Sequence, residues 1–126
     1  MPKRNLPRPT EAELAILRVL WQHGPSTVRQ VHEALERDTG YTTVLKLLQI
    51  MTEKGLVTRD DAERSHVYSA RLAQEETQRQ LLTDLLDRAF AGSAQKLVLQ
   101  ALSMKKASAG ELAEIRRLLD ELERKA

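Results

Sequence analysis

The chain of 126 residues contains no cysteine, and only 3% of its residues are aromatic. The lack of cysteine excludes disulfide bonds, thiolate metal sites and cysteine nucleophiles. Because aromatic side chains are so few, a core must be built from Leu, Val, Ile and Ala, which helices favour. The composition therefore predicts an α-rich fold of one domain, or of one small domain with an appendage.

Long apolar runs and a strong charge of one sign are also missing. No stretch approaches the roughly 18 apolar residues of a membrane span, and the N-terminal MPKRNLPRP has no apolar signal region. We therefore expect a cytoplasmic protein without membrane insertion. The net charge is only +2, so total charge is weak evidence for nucleic-acid binding, which depends on clustered charge.

Motifs for catalysis, cofactor binding or metal binding are missing as well. His23, His32 and His66 follow no metal-binding spacing, and neither a Gly-rich phosphate loop nor a nucleophile motif occurs. The adjacent Asp60 and Asp61 lie in a polar segment, where water would keep both carboxylates ionised. The sequence predicts a protein that is not an enzyme and has no cofactor and no metal site.

Two capping signals open the first two predicted helices. Thr10 followed by Glu13 predicts a capping box at the start of EAELAILRVLWQHG. A cap at Ser26 or Thr27 opens TVRQVHEALERDTG, a predicted helix that ends by Gly40. Both segments have apolar residues at helical spacing, so each is expected to bury one face.

The third predicted helix is followed by two short strands. YTTVLKLLQIMTEK ends at Gly55, and LVTR at 56–59 and HVYSA at 66–70 flank a polar segment, which predicts a β-hairpin. Three helices and a two-stranded hairpin form the order of a winged helix-turn-helix, and RDTGY at 37–41 allows the short turn that this fold requires. The buried stripe of the third helix is expected to contain Val44, Leu47, Leu48 and Met51.

The rest of the chain returns to helical periodicity, with stripes that are too apolar for solvent. Three short helices with no aromatic residue beyond Phe90 would form a thin core, so a second copy of the chain is the economical partner. The predicted division is a basic arm at 1–9, a winged helix at 10–71 and a helical dimerisation region at 72–126. The residues expected in the homodimer contact are Leu82, Leu85, Leu86, Leu99, Ile115, Leu118, Leu119 and Leu122.

The outer face of the third predicted helix has the side chains that the major groove of DNA requires. About 100° per residue places four side chains opposite the buried stripe: Thr42, Lys46, Gln49 and Glu53. Hydroxyl and amine groups suit phosphates or guanine, an amide suits adenine, and apolar atoms suit thymine methyl groups. Leu45 and Ile50 flank this face, and the alternative is that they pack against the hairpin or the C-terminal helices.

These motifs resemble the BlaI/MecI/CopY family of penicillinase-type transcriptional repressors. The resemblance rests on EAELAILRVLW, GPSTVRQVHEAL, YTTVLKLLQIMTEKGLV and RSHVY, and more weakly on AGSAQKLVLQAL. It implies a homodimeric repressor whose winged helix reads a palindromic operator in double-stranded DNA. By position it implies a recognition helix at 41–54 and a wing at 56–70, in which Arg64 matches a frequent basic residue. The residues of this helix that are predicted to contact DNA, with Leu45 included for thymine methyl groups, are Tyr41, Thr42, Thr43, Leu45, Lys46 and Gln49.

Two features depart from the family's pattern. Ile50 stands where many members have an Arg that could contact a phosphate. This chain therefore either lacks that contact or uses Ile50 for packing or for contact with thymine methyl groups. The wing tip contains Asp60, Asp61 and Glu63 and should repel phosphates unless Arg59 and Arg64 hold it aside. A basic arm could reach the DNA backbone or a minor groove, or be an inert tail: Lys3, Arg4 and Arg8.

The signal that would release such a repressor stays open. In the antibiotic-responsive branch of the family that the chain resembles, a sensor peptidase triggers cleavage of an Asn-Phe bond, which aligns between Gln100 and Ala101 here and is not preserved. The cysteine pairs of the copper-responsive branch are missing, which excludes copper sensing through thiolates. A winged-helix module that docks on another protein and a repressor gated by a small molecule are the alternatives.

Overall fold

The computed structural model describes residues 8–35, 38–62 and 64–126. By internal contacts the chain divides into two compact units, Met1–Leu82 and Thr83–Ala126. The predicted functional boundary between residues 71 and 72 remains a prediction. In chain order the elements are α1 (Glu11–His23), β1 (Ser26–Thr27), α2 (Val28–Ala34), α3 (Tyr41–Lys54), β2 (Val57–Asp60), β3 (Val67–Ala70), α4 (Gln74–Ala89), α5 (Ala94–Met104) and α6 (Ala109–Lys125).

The predicted capping box at Thr10 is confirmed. The Glu13 backbone N–H donates to Thr10 Oγ1 at 3.2 Å, and the Thr10 N–H donates to Glu13 Oε1 at 2.8 Å. At the other end of α1, Gly24 has φ 82° and its N–H donates to the Leu20 carbonyl oxygen. Glycine adopts this positive φ without a steric penalty, so the chain can leave the helix abruptly.

The second helix is shorter than predicted. It begins at the Thr27 cap, where Thr27 and Gln30 form a capping box, but α2 ends at Ala34 instead of near Gly40. Leu35 has extended backbone angles, and His32 Nε2 lies 2.9 Å from the Thr39 carbonyl oxygen. A side chain of α2 therefore contacts the backbone just before α3 begins.

The sheet has three strands instead of the two that were predicted. Its order is β1-β3-β2, and both pairings are antiparallel. The hairpin of β2 and β3 agrees with the prediction, with Thr58 opposite Ser69. The additional strand β1 pairs Ser26 with Tyr68. A strand of two residues is too short to show alternation in a sequence, which is why the prediction missed it.

The buried core belongs to the winged helix formed by α1–α3 and the sheet. The Trp21 indole N–H donates to the Leu72 carbonyl oxygen at 3.0 Å, which ties the segment after β3 to α1. The fold class, mainly α with a winged helix-turn-helix, is confirmed. The buried apolar residues are Ile16, Leu17, Val19, Leu20, Val28, Val31, Val44, Leu48, Met51, Leu56, Val57 and Tyr68.

The three C-terminal helices differ sharply from this core. Across α4, α5 and α6, which are described without gaps, Thr77 alone is buried. Ser108 and Glu111 form the predicted capping box of α6. In the described parts of the chain, no helix is both long and apolar enough to span a bilayer.

Candidate nucleic-acid interface

The helix α3 presents one fully buried face and one open face. Val44, Leu48 and Met51 are completely buried, and Leu47 is partly buried against the core, as predicted. The opposite side is exposed along its length, with hydroxyl, amine, amide and carboxylate groups in sequence. Its polar residues are Thr42, Thr43, Lys46, Gln49 and Glu53.

The two apolar residues beside this face have different environments. Leu45 is partly buried and packs against the core, which favours the packing alternative for this residue. Ile50 is 36% exposed and lies on the open side of the helix. The predicted contact between Leu45 and DNA stays a prediction, and it is restricted to the part of the side chain that remains accessible.

The start of α3 is capped differently from the other helices of the winged helix. Its N-cap residue is Gly40, which makes no side-chain hydrogen bond, whereas α1 and α2 each have a capping box. The first N–H groups of a helix have no acceptor within the helix, and the helix dipole adds positive potential there. Together with the exposed hydroxyls of Thr42 and Thr43, this end of α3 suits a phosphate.

Tyr41 is oriented by a residue of α2. The rings of His32 and Tyr41 meet edge to face, with centroids 5.9 Å apart and an interplanar angle of 76°. Tyr41 is 48% exposed, so about half of the residue remains open to solvent. The contacts of His32 with Thr39 and Tyr41 were not predicted, because they join two separate elements and leave no local pattern in the sequence.

A partly buried ion pair joins the far end of α3 to α1. Lys54 Nζ donates to Glu13 Oε1 at 2.7 Å, and Glu13 is only 2% exposed. Burial opposes ionisation of Glu13, but hydrogen bonds from Lys54 and from the Thr10 backbone N–H, with the Lys54 charge, outweigh it and lower the carboxyl pKa below its ordinary value of 4.5. This pair has no signal in the sequence, since the two residues are 41 positions apart in the chain.

The wing contains an ion-paired cluster around Asp61. Arg59 Nε lies 2.9 Å from Asp61 Oδ1, Arg59 Nη2 donates to Oδ2 at 3.3 Å, and His66 Nδ1 lies 2.6 Å from Oδ1. Of the two arginines considered for holding the acidic tip, Arg59 does so. Arg64 is exposed and is not paired with Asp60 or Asp61 among the described contacts of the wing.

Several residues predicted to contact DNA, or to lie near a cleavage site or at the wing tip, are either outside the described part of the chain or exposed on its surface. Lys3, Arg4 and Glu63 are outside it, and Arg8 is exposed at its beginning. Gln100 and Ala101, which align with the cleaved bond of the antibiotic-responsive branch, are exposed residues of α5.

Most of the apolar residues predicted for dimerisation are exposed in the single chain. Leu82, Leu85, Leu99, Leu118, Leu119 and Leu122 are between 49% and 57% exposed, while Leu86 and Ile115 are partly buried. Four further exposed apolar residues were not predicted: Val98, Leu102, Met104 and Leu112. Helical spacing on α5 and α6 could have identified them.

The sequence model of the penicillinase repressor family matches residues 9–121. This chain belongs to the penicillinase repressor family. It is 38% identical over 123 residues to transcriptional regulator BlaI from two strains of Mycobacterium tuberculosis, covering 94% of this chain and 88% of that protein. It is 22% identical over 120 residues to the penicillinase repressor of Bacillus licheniformis, covering 94% of each chain.

A solved structure supports the fold independently. The crystal structure of the YusO protein from Bacillus subtilis aligns with a TM-score of 0.50 at 20% identity, over 94% of this chain and 77% of that one. The penicillinase repressor family consists of transcriptional repressors. The predicted family and the prediction that the chain is not an enzyme are therefore confirmed.

Proposed function

We propose that this member of the penicillinase repressor family represses transcription as a homodimer that binds a palindromic operator, with α3 in the major groove. The observation that carries the proposal is the open face of α3, which presents polar groups opposite the fully buried Val44, Leu48 and Met51. A rigid helix with this pattern can insert its outer side chains between the two phosphate backbones without exposing its core.

The chemistry of the face supports a division of contacts along α3. The uncapped first turn, with Tyr41, Thr42 and Thr43, suits backbone phosphates. Lys46 suits guanine or a phosphate, and Gln49 can form two hydrogen bonds with adenine. Ile50, and the accessible part of Leu45, suit thymine methyl groups, while Arg64 would reach a phosphate from the wing.

The exposed apolar residues of the C-terminal helices support the homodimer. On α6 the exposed Leu112, Leu119 and Leu122, with the partly buried Ile115, follow the three-and-four spacing of a helix that pairs with another helix. Large apolar side chains exposed together in this way are rare on a protein that remains monomeric. Two copies would also supply two recognition helices, as the two halves of a palindromic operator require.

A gel shift with the DNA upstream of its own gene, at two salt concentrations, tests the proposal. Lys46→Ala and Gln49→Ala should each weaken the specific complex by about 1–3 kcal/mol, because each removes a base or phosphate contact. Glu53→Ala, on the same exposed face, is the matched control and should not weaken the complex.

The salt dependence separates this function from its main alternative. Release of counterions makes DNA binding weaken steeply with salt, whereas a protein docked on the apolar Ile50 would be held by burial of apolar surface, which salt does not weaken. A complex that is insensitive to salt, or unchanged in both variants, would contradict the DNA-binding face.

The signal that releases the repressor is a separate part of the proposal. One route is cleavage near Gln100 and Ala101 in response to a sensor peptidase. Because both residues lie within the helix α5, that segment would have to unfold locally before a protease could bind its backbone. Mapping of fragments during induction tests this route, and a chain that stays intact would exclude it.

A further inference from the structure

The ion-paired cluster of the wing has the donor arrangement of an anion site. The side chains of Arg59 and His66 converge on the single carboxylate of Asp61: Arg59 Nη2 donates to Oδ2 at 3.3 Å, and Arg59 Nε and His66 Nδ1 lie 2.9 and 2.6 Å from Oδ1. A phosphodiester group resembles a carboxylate in presenting two oxygens that share one negative charge. Donors that hold the first can hold the second, and arginine binds both in the same side-on geometry.

The donors are held by the sheet, whereas the acceptor is not. Arg59 lies in β2 opposite the buried Tyr68, and His66 directly precedes Val67, which pairs with both Thr27 and Asp60. Asp61 follows the end of β2 and has no partner in the sheet. The carboxylate can therefore move away while the backbone of the two donor residues stays in place.

The cluster is accessible to a ligand from solvent. The side chains of Arg59, Asp61 and His66 are 40%, 52% and 49% exposed. Ion pairs at this level of exposure are weak, because water competes for both partners. An incoming phosphate would therefore lose little by displacing Asp61.

We propose that Arg59 and His66 form a binding site for a phosphate of the DNA backbone, and that Asp61 occupies this site in the free protein. On binding, a phosphodiester replaces the Asp61 carboxylate between the two side chains. This inference rests on the proposed DNA-binding function. It assigns two further DNA contacts to the wing, and it gives Asp61 the role of an internal competitor that weakens binding.

The neighbouring Asp60 provides a matched control. Its Oδ1 accepts a hydrogen bond from the Ala62 backbone N–H at 2.9 Å, and among the described contacts of the wing its carboxylate forms no ion pair with Arg59 or His66. Asp60→Asn and Asp61→Asn change the net charge of the wing tip by the same amount. Any general effect of charge on DNA binding should therefore appear equally in both variants.

The test compares the affinities of these variants for duplex DNA from upstream of the gene. Asp61→Asn should bind roughly two- to fivefold more tightly than Asp60→Asn, because it also frees Arg59 from an exposed ion pair and His66 from its contact with the same carboxylate. Arg59→Gln should reduce the slope of log affinity against log salt by about 0.9 for each bound protomer. When Arg59→Gln is also present, Asp61→Asn should increase the affinity for DNA no more than Asp60→Asn does.

Equal affinities of Asp60→Asn and Asp61→Asn, or an unchanged salt slope in Arg59→Gln, would overturn the wing site. Thermal melting of each variant verifies that the exposed substitutions leave the fold intact. Wild type and Lys46→Ala in the same assay separate this failure from failure of the proposed function. A wild-type complex that weakens with salt and is lost in Lys46→Ala keeps the repressor proposal, whereas no salt-sensitive complex would overturn both.

Discussion

At the scale of single residues, the buried Glu13 contributes both to the cap of α1 and to the position of α3. Replacing it by Gln keeps the shape but removes the charge that Lys54 neutralises at 2.7 Å. We expect Glu13→Gln to lower the free energy of unfolding by about 1–3 kcal/mol at neutral pH. Urea unfolding of the two proteins at matched pH measures this difference.

The same substitution predicts a specific dependence on pH. The pKa of Glu13 is lower in the folded chain than its ordinary value of 4.5, so its stabilising contribution is complete above that ordinary value. The contribution is lost as pH falls through the lower, folded pKa, and the two proteins should then converge in stability. Glu11→Gln, in the exposed first turn of the same helix, should show no such convergence. A difference between wild type and Glu13→Gln that persists unchanged at pH 3 would contradict this role.

At the scale of elements, a side chain of α2 contacts the start of the proposed recognition helix. His32 contacts both the Thr39 carbonyl oxygen and the Tyr41 ring. We expect His32→Ala and Tyr41→Ala to be coupled by about 0.5–1.5 kcal/mol in operator affinity, since each removes one side of the same ring contact. A double-mutant cycle in the gel shift measures the coupling.

A conservative variant and a neighbouring control separate the two contacts of His32. The glutamine of His32→Gln can still donate to the Thr39 carbonyl oxygen but has no ring. This variant should therefore keep the hydrogen bond without restoring the coupling to Tyr41. Glu33→Ala, at the adjacent exposed position of α2, should leave affinity unchanged. Purely additive effects of the His32 and Tyr41 substitutions would show that Tyr41 is positioned independently of His32.

At the scale of the whole molecule, the proposed homodimer rests on the apolar residues that one chain leaves exposed. Leu119→Asp places a carboxylate in the middle of the α6 stripe, where dimerisation would bury it at high cost. We expect this variant to sediment as a monomer and to bind a palindromic operator more weakly, because the two half-sites are then bound separately. Ala113→Asp adds the same charge to the same helix beside the stripe and should remain dimeric. A Leu119→Asp monomer with normal operator affinity would contradict this arrangement.

The predictions that hold are those with short-range causes. The capping boxes at Thr10 and Ser108 depend on residues three positions apart, and the buried stripe of α3 depends on one helical period, so both can be read from the chain. The end of α2 and the strand β1 were missed because neither has a local signal. β1 exists only because Tyr68 of the hairpin lies beside Ser26.

The sequence by itself determined the family, the winged-helix order and the polar face of α3, because caps, periodicity and motif identity are properties of neighbouring residues. Only the tertiary structure decided which side chains meet across the fold: Lys54 with Glu13, Tyr41 with His32, and Leu45 with the core. It also decided that the Asp61 carboxylate lies between the side chains of Arg59 and His66. These contacts join separate elements, so their distances depend on how helices and strands pack, which a linear pattern does not contain.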